Sequence, residues 1–272
     1  MKLKGQVAII TGAGRGIGRA IALAFAEQGG TLVLCGKSPE SIEEASHIVK
    51  QSGADPLSLI VDVAVWDQVT AMCEKVLKRF GKIDILINNA GIVLYKSVLD
   101  TTEQDWNRLI DTNMKGVFLC CKAVLPSMLK AKAGVIVNVS SILGLKATAN
   151  MSVYSASKFG IIGFTQSLAA ETLSEGVRVY SVCPGPTNTA LHQSVVGHEA
   201  ASKAMPPQRV ANKILAVVAG EISKPSGAEI VIDEQDSSSA SALQEQTCMG
   251  HCLKSLELFL RRRVKLMKGF YR

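Results

Sequence analysis

Apolar runs of five to seven residues recur along this chain, and the stretches between them carry apolar residues at helical spacing. The runs are VAIIT (7–11), TLVLC (31–35), LSLIV (57–61), IDILI (83–87), GVIVNVS (134–140), VRVYSVC (177–183) and AEIVI (228–232). Each is short and rich in β-branched residues, so each reads as a strand. They lack the in–out alternation of a half-solvated sheet, which predicts strands covered on both faces, as in a parallel sheet. The intervening segments are long enough for right-handed helical crossovers. The alternation predicts one doubly wound α/β domain of Rossmann type over residues 1–232, with a seven-stranded parallel sheet.

The regularity stops near residue 233. DEQDSSSASALQEQ is polar and Ser-rich, and residues 233–252 read as a linker. Beyond it, LKSLELFLRRRVKLMKGF has apolar residues at 253, 256, 260, 264 and 267, the spacing of a basic amphipathic helix over 253–272. Such a tail suits an anionic membrane surface or an acidic partner; packing on its own domain is the plainer alternative.

Charge adds one point. The chain carries +7, and residues 253–272 hold seven basic groups against Glu257. Nearly all the excess sits in the tail, so the body shows no nucleic-acid signature. An apolar fraction of 47% is enough for a sizeable core. No run approaches the roughly 18 apolar residues of a membrane span. MKLKGQVAIITGAG enters strand chemistry at once, so no secretory signal is expected. The seven cysteines are odd in number and lack framework spacing, which fits reduced thiols in a cytoplasmic protein. TCMGHC (247–252) places two thiols around His251 without a second cluster, so no metal site is expected.

Two stretches carry candidate chemistry. TGAGRGIG (11–18) follows the first strand and opens the first helix. Gly12, Gly16 and Gly18 let the backbone turn tightly and approach a ligand, with Arg15 and Ile17 between them; the free N–H groups of the helix start attract phosphate. At the end of the second strand, where a carboxylate would bind a free ribose 2′-hydroxyl, the chain reads LCGKS. Lys37 and Arg15 without an acid favour NADP(H) over NAD(H). The second stretch, YSASK (154–158), sets a phenol and an ammonium one helical turn apart.

TGAGRGIG, NNAG (88–91), YSASK and CPGPTNT (183–189), in this order and spacing, resemble the short-chain dehydrogenase/reductase family over about residues 3–232. The resemblance implies that Asp62 and Val63 flank the adenine. Asn88, Asn89, Ala90 and Gly91 line the cofactor and steady the central strands, and Thr189, after the Pro184–Gly185 turn, bonds the nicotinamide carboxamide. It also implies a hydride exchange between nicotinamide and a carbonyl or secondary alcohol, with no metal. Tyr154 is then the acid/base, and Lys158 stabilises its phenolate and brings its working pKa toward neutral. Both also border the cofactor. Ser141, thirteen residues before the tyrosine, holds the substrate oxygen, while Ser140 reads as a strand-end hydroxyl. Asn113, in DTNMKG, is expected to hold a water linking the lysine to solvent.

Within the family the nearest type is 3-oxoacyl-carrier-protein reductase, which implies a carbonyl substrate on an acidic acyl carrier protein. Sugar-alcohol, acetoacetyl-CoA and small-ketone reductases share the same motifs. A homodimer or homotetramer is expected, with Cys120–Cys121 packing on a helix that meets a second subunit in relatives. IDEQDSSS stands where relatives often have an Asp-Gly-Gly turn, a departure that touches the substrate pocket and the assembly. A non-catalytic NADP-binding sensor or scaffold is the alternative of another class.

Overall fold

A computed structural model of the chain describes residues 1–233. The basic tail helix and the linker beyond residue 233 lie outside the described residues. The chain runs β1 (Val7–Thr11), α1 (Gly16–Glu27), β2 (Thr31–Gly36), α2 (Pro39–Gln51), β3 (Leu57–Ile60), α3 (Trp66–Phe80) and β4 (Ile85–Asn88). Next come α4 (Glu103–Ile110), a π-helical turn (Asp111–Lys115), α5 (Gly116–Ala131), β5 (Gly134–Val139), a 3₁₀ turn (Ile142–Gly144) and α6 (Ser152–Glu171). The described part closes with β6 (Val177–Pro184), α7 (Ala190–Val196), α8 (His198–Ser202), α9 (Pro207–Val218) and β7 (Glu229–Ile232). All seven expected strands are present, with ends shifted by one or two residues.

The sheet order is β3-β2-β1-β4-β5-β6-β7, parallel throughout. Alternate side chains of each strand feed two separate cores. Ala8, Ile10, Leu32, Leu34, Ile85 and Ile87 pack against α1, α2 and α9. Val7, Ile9, Val33, Leu86, Ile136 and Val179 pack against α3, α5 and α6. Central runs therefore need apolar residues at every position, as VAIIT has. Each fully buried Ile or Leu contributes about 1.5–3 kcal/mol over its exposed state. The outer strands depart from that rule. β3 alternates half-buried and exposed positions, leaving Ser58 and Ile60 outward, and Val231 of β7 is also exposed. Edge position, with one face uncovered, is the cause.

β1 and β4 are neighbours, yet the chain leaves β1 toward β2 and leaves β4 toward β5. Their connections diverge to opposite sides and open a crevice at the carboxyl ends of the strands, the usual ligand position in such sheets. Six segments rim it: 11–18, 36–38, 60–63, 88–92, 139–144 and 184–189.

Candidate active site

At one end of the crevice the glycine turn has the geometry its sequence demands. Gly12 (φ 63°) and Gly16 (φ 54°) are left-handed, a region that penalises any side chain. A Cβ on Gly12 would lie 2.8 Å from Ala90 Cα, and one on Gly18 would fall on the Gly12 carbonyl oxygen. The turn is stitched to the end of β4. Thr11 Oγ1 accepts from the N–H groups of Asn89 (3.0 Å) and Ala90 (3.1 Å), and Asn89 Nδ2 donates to the Thr11 and Gly12 carbonyls. Arg15, the exposed N-cap of α1, gives no side-chain hydrogen bond to the first-turn amides. Those amides and the turn's lack of side chains fit a phosphate group, the fit a dinucleotide requires. Ile17 packs on the core beneath the turn, and Thr189 Cγ2 would lie 3.1 Å from a Cβ on Gly16.

The outer corner differs from its sequence reading. Lys37 Nζ lies 2.8 Å from Asp62 Oδ2, so an acid stands beside the cation after all, delivered by the neighbouring strand β3. Burial pushes the Asp62 carboxyl up. Hydrogen bonds from Lys37 and the Ala64 N–H, with the charges of Lys37 and Lys115, outweigh it and hold the group below the usual carboxylate range. Val63 is buried and packs on Gly116, where a Cβ would meet it at 2.6 Å.

The chemical end gathers around β5 and α6. Tyr154, Ser157 and Lys158 lie within one turn of α6, all buried. Tyr154 shares a hydrogen bond with the Ser141 hydroxyl, and Ser141 Oγ also accepts from the Leu143 N–H at 3.1 Å. Lys158 Nζ sits 5.6 Å from the Tyr154 ring centre and donates to the Val139 carbonyl at 2.9 Å. One ammonium proton is thus used. A side chain at Gly91 would lie within 3.8 Å of Lys158 Nζ and 3.4 Å of Asn113 Oδ1, so all three converge. Ile92, Val93, Leu94 and Leu143 wall the tyrosine with apolar surface.

Two expectations change here. Burial pushes the Tyr154 phenol up to about 12, with only the Ser141 hydrogen bond pulling it down, rather than toward neutral. Burial also brings the Lys158 ammonium down to about 8, against a small opposing influence of Cys183. The lysine stands one turn away and spends its bond on Val139, so desolvation governs both groups. Asn113 lies in the π turn rather than in a regular helix. Its Oδ1 accepts from Ile92 N–H at 2.9 Å, and its Nδ2 donates to Ile92 O at 2.9 Å and to Ser157 Oγ at 3.2 Å. Its amide therefore clamps the β4 loop to α6.

The remaining sequence-derived residues take supporting places. Asn88 is buried at the end of β4 and its Nδ2 donates to Asn138 Oδ1 at 2.9 Å. Pro184 ends β6, and Gly185 N–H bonds the Ile232 carbonyl at 2.8 Å, so this turn is tied to β7. Thr189 Oγ1 caps α7 by accepting from His192 N–H at 3.2 Å. Ser157, whose hydroxyl donates to Tyr154 O at 2.7 Å, is a site residue the sequence reading passes over as merely small. Its tie to Asn113 crosses 44 residues, and no local pattern reports that.

A dinucleotide has phosphates for the first end of this crevice and a redox ring that needs the proton chemistry of the second, so fold and site together define a dinucleotide-dependent oxidoreductase. The short chain dehydrogenase family model matches residues 6–200, and the chain belongs to that family. The chain is 42% identical over 179 residues to a 3-oxoacyl-[acyl-carrier-protein] reductase of Staphylococcus aureus, covering 65% of this chain and 73% of that protein. It is 36% identical over 244 residues to the Thermotoga maritima reductase of the same name, covering 86% and 98%. Among solved structures it resembles levodione reductase (TM-score 0.82, 28% identity, 86% of this chain and 98% of that one). NAD+-bound xylitol dehydrogenase is similar too (TM-score 0.79, 28% identity, 86% and 99%).

Proposed function

We propose that the protein is an NADP(H)-dependent reductase of 3-oxoacyl thioesters or similar ketones, with an acyl-carrier-protein-bound chain as the natural form of substrate. The observation that carries the reading is the buried Ser141–Tyr154–Lys158 cluster at the end of a dinucleotide crevice. Bound nicotinamide supplies the hydride. Tyr154 Oη gives its proton to the carbonyl oxygen as charge builds there, and the Ser141 hydroxyl donates a hydrogen bond to the same oxygen. The Lys158 ammonium faces the resulting phenolate, which regains its proton from solvent. With the phenol at about 12 and the amine at about 8, both are protonated at pH 7, a set arranged to donate. The names of the two curated relatives support the substrate class, and Arg15 with Lys37 supports the phosphate-bearing cofactor, although a 2′-phosphate competes with Asp62 for Lys37. The exposed Phe118 and Phe159 on α5 and α6 support a homodimer or larger assembly. Buried free thiols at Cys35, Cys73, Cys120, Cys121 and Cys183 support a cytoplasmic location. Among the described residues no helix is long and apolar enough to cross a membrane.

The test follows NADPH absorbance across 3-oxoacyl thioesters, acetoacetyl-CoA, diketones and sugar ketones. Turnover is expected on the thioesters, and Tyr154→Phe should lower kcat by about 10³-fold while NADPH affinity stays within about twofold. Residual turnover near wild type in that variant defeats the mechanism. Lys37→Asp combined with Arg15→Ala should weaken NADPH much more than NADH; equal losses for the two cofactors refute the phosphate assignment.

A further inference from the structure

Ser140 stands beside Ser141 with no role in the chemistry above. It follows the last residue of β5 and is 3% exposed. Its N–H donates to the Val182 carbonyl at 2.7 Å, and its hydroxyl donates to the carbonyl of Lys158 at 2.8 Å and touches the Cys183 thiol. Lys158 in turn sends Nζ to the carbonyl of Val139. Two consecutive residues thus grip the lysine at both ends, its backbone by Ser140 and its ammonium by Val139. The 3₁₀ turn closes over the same point: a Cβ on Gly144 would lie 2.6 Å from Ser140 Oγ and 2.7 Å from the Lys158 carbonyl. A carbonyl inside a helix already accepts from the N–H four residues on, so the Ser140 bond is additional to the ladder. It fixes where the lysine leaves the helix.

We propose that Ser140 is a positioning residue for Lys158, holding its backbone against the end of β5 so that the ammonium stays dry and directed at the tyrosine. The proposal rests on the acid–base reading of Tyr154 and Lys158. Among the described residues, the titratable groups facing the lysine are Tyr154 on its own helix and Cys183 from β6. The β5 end, the π turn and the β4 loop present the Val139 carbonyl, Asn113 and Gly91, none of which titrates. A second buried bond joins the same strand to the same helix deeper in the fold, from Asn138 Nδ2 to Thr165 Oγ1 at 2.9 Å. It supplies the control for a merely structural role.

The experiment titrates the Lys158 side-chain carbon resonance by NMR in the full-length protein, assigned with Lys158→Met, in wild type, Ser140→Ala and Thr165→Val. Loosening admits water and relieves desolvation, so Ser140→Ala should move the lysine midpoint up by about one on the pH scale. Thr165→Val should lower the melting temperature and leave the midpoint alone. In turnover, Ser140→Ala should cut kcat by about tenfold with the KM for NADPH within about twofold. An unmoved lysine midpoint in Ser140→Ala, or an equal shift in Thr165→Val, overturns the proposal. Failure of the wild type to turn over any ketone defeats the proposed function instead, and the NMR comparison still decides this one.

Discussion

Lys158 is the costliest side chain in the site. It is 5% exposed, no carboxylate among the described residues stands against it, and burial brings its ammonium from 10.5 to about 8. That difference corresponds to about 3 kcal/mol spent on keeping a cation in place at pH 7. A base whose folded pKa is depressed binds fewer protons folded than unfolded between the two values, so stability rises with pH from about 8 to about 10.5. Lys158→Met should therefore abolish reduction yet raise the melting temperature at pH 7, and most of the gain should be lost by pH 10.5, where the folded wild-type lysine is neutral and the unfolded one only half protonated. Thermal melts at the two pH values check this; a variant less stable than wild type at pH 7 rules it out. The residue types of this site were legible because their chemistry is local to a motif: a phenol and an amine one turn apart, a serine thirteen residues upstream. Their settings were not. Whether Tyr154 is dry, and whether Asp62 reaches Lys37, depends on strands that meet only in the folded sheet.

Between residue and domain, two turns do the placing. The turn from β1 to α1 depends on a contact between its own ends, where Gly18 packs on the Gly12 carbonyl under Asn89. Gly18→Ala forces backbone against backbone, and neither side can swing away. It should cost about 1–3 kcal/mol of stability and weaken dinucleotide binding more than tenfold, read by denaturation and by fluorescence titration with NADPH. Unchanged affinity would mean that the phosphates lie elsewhere. This turn was readable from three glycines after an apolar run. The π turn was not. DTNMK contains no Gly or Pro to announce a break, and its wider pitch becomes visible only in the structure, where Asn113 faces inward to hold both the N–H and the carbonyl of Ile92. The exposed face of β3 was missed for a related reason. LSLIV is as apolar as a central strand, and only sheet order, set by crossovers across the whole domain, puts it at an edge.

Across the whole molecule, the cysteines make an alkaline limit. Cys35, Cys73, Cys120, Cys121 and Cys183 are all buried as free thiols. Burial is the main cause that pushes each one up, to about 11 for Cys183, about 12 for Cys73 and Cys121, and well above the ordinary range for Cys35 and Cys120. In the unfolded chain these thiols ionise near 9.0. The folded state therefore keeps protons that the unfolded state releases, so their contribution is intact below about pH 9 and drains away as pH climbs toward the folded values. Each thiol removes on the order of 1 kcal/mol by pH 10 and Lys158 returns less than the five remove together, so the net is a loss of several kcal/mol. That is comparable to the whole stability of many domains. Urea unfolding under reducing conditions should show the midpoint falling steeply between pH 9 and pH 10, with the urea dependence unchanged. Cys120→Ala separates this from general alkaline damage: it should be less stable than wild type at pH 8, because it leaves a cavity, yet lose less stability than wild type on going to pH 10. Parallel losses in variant and wild type would show that the alkaline limit comes from elsewhere, with the Cys120 thiol ionising alike in the folded and unfolded states.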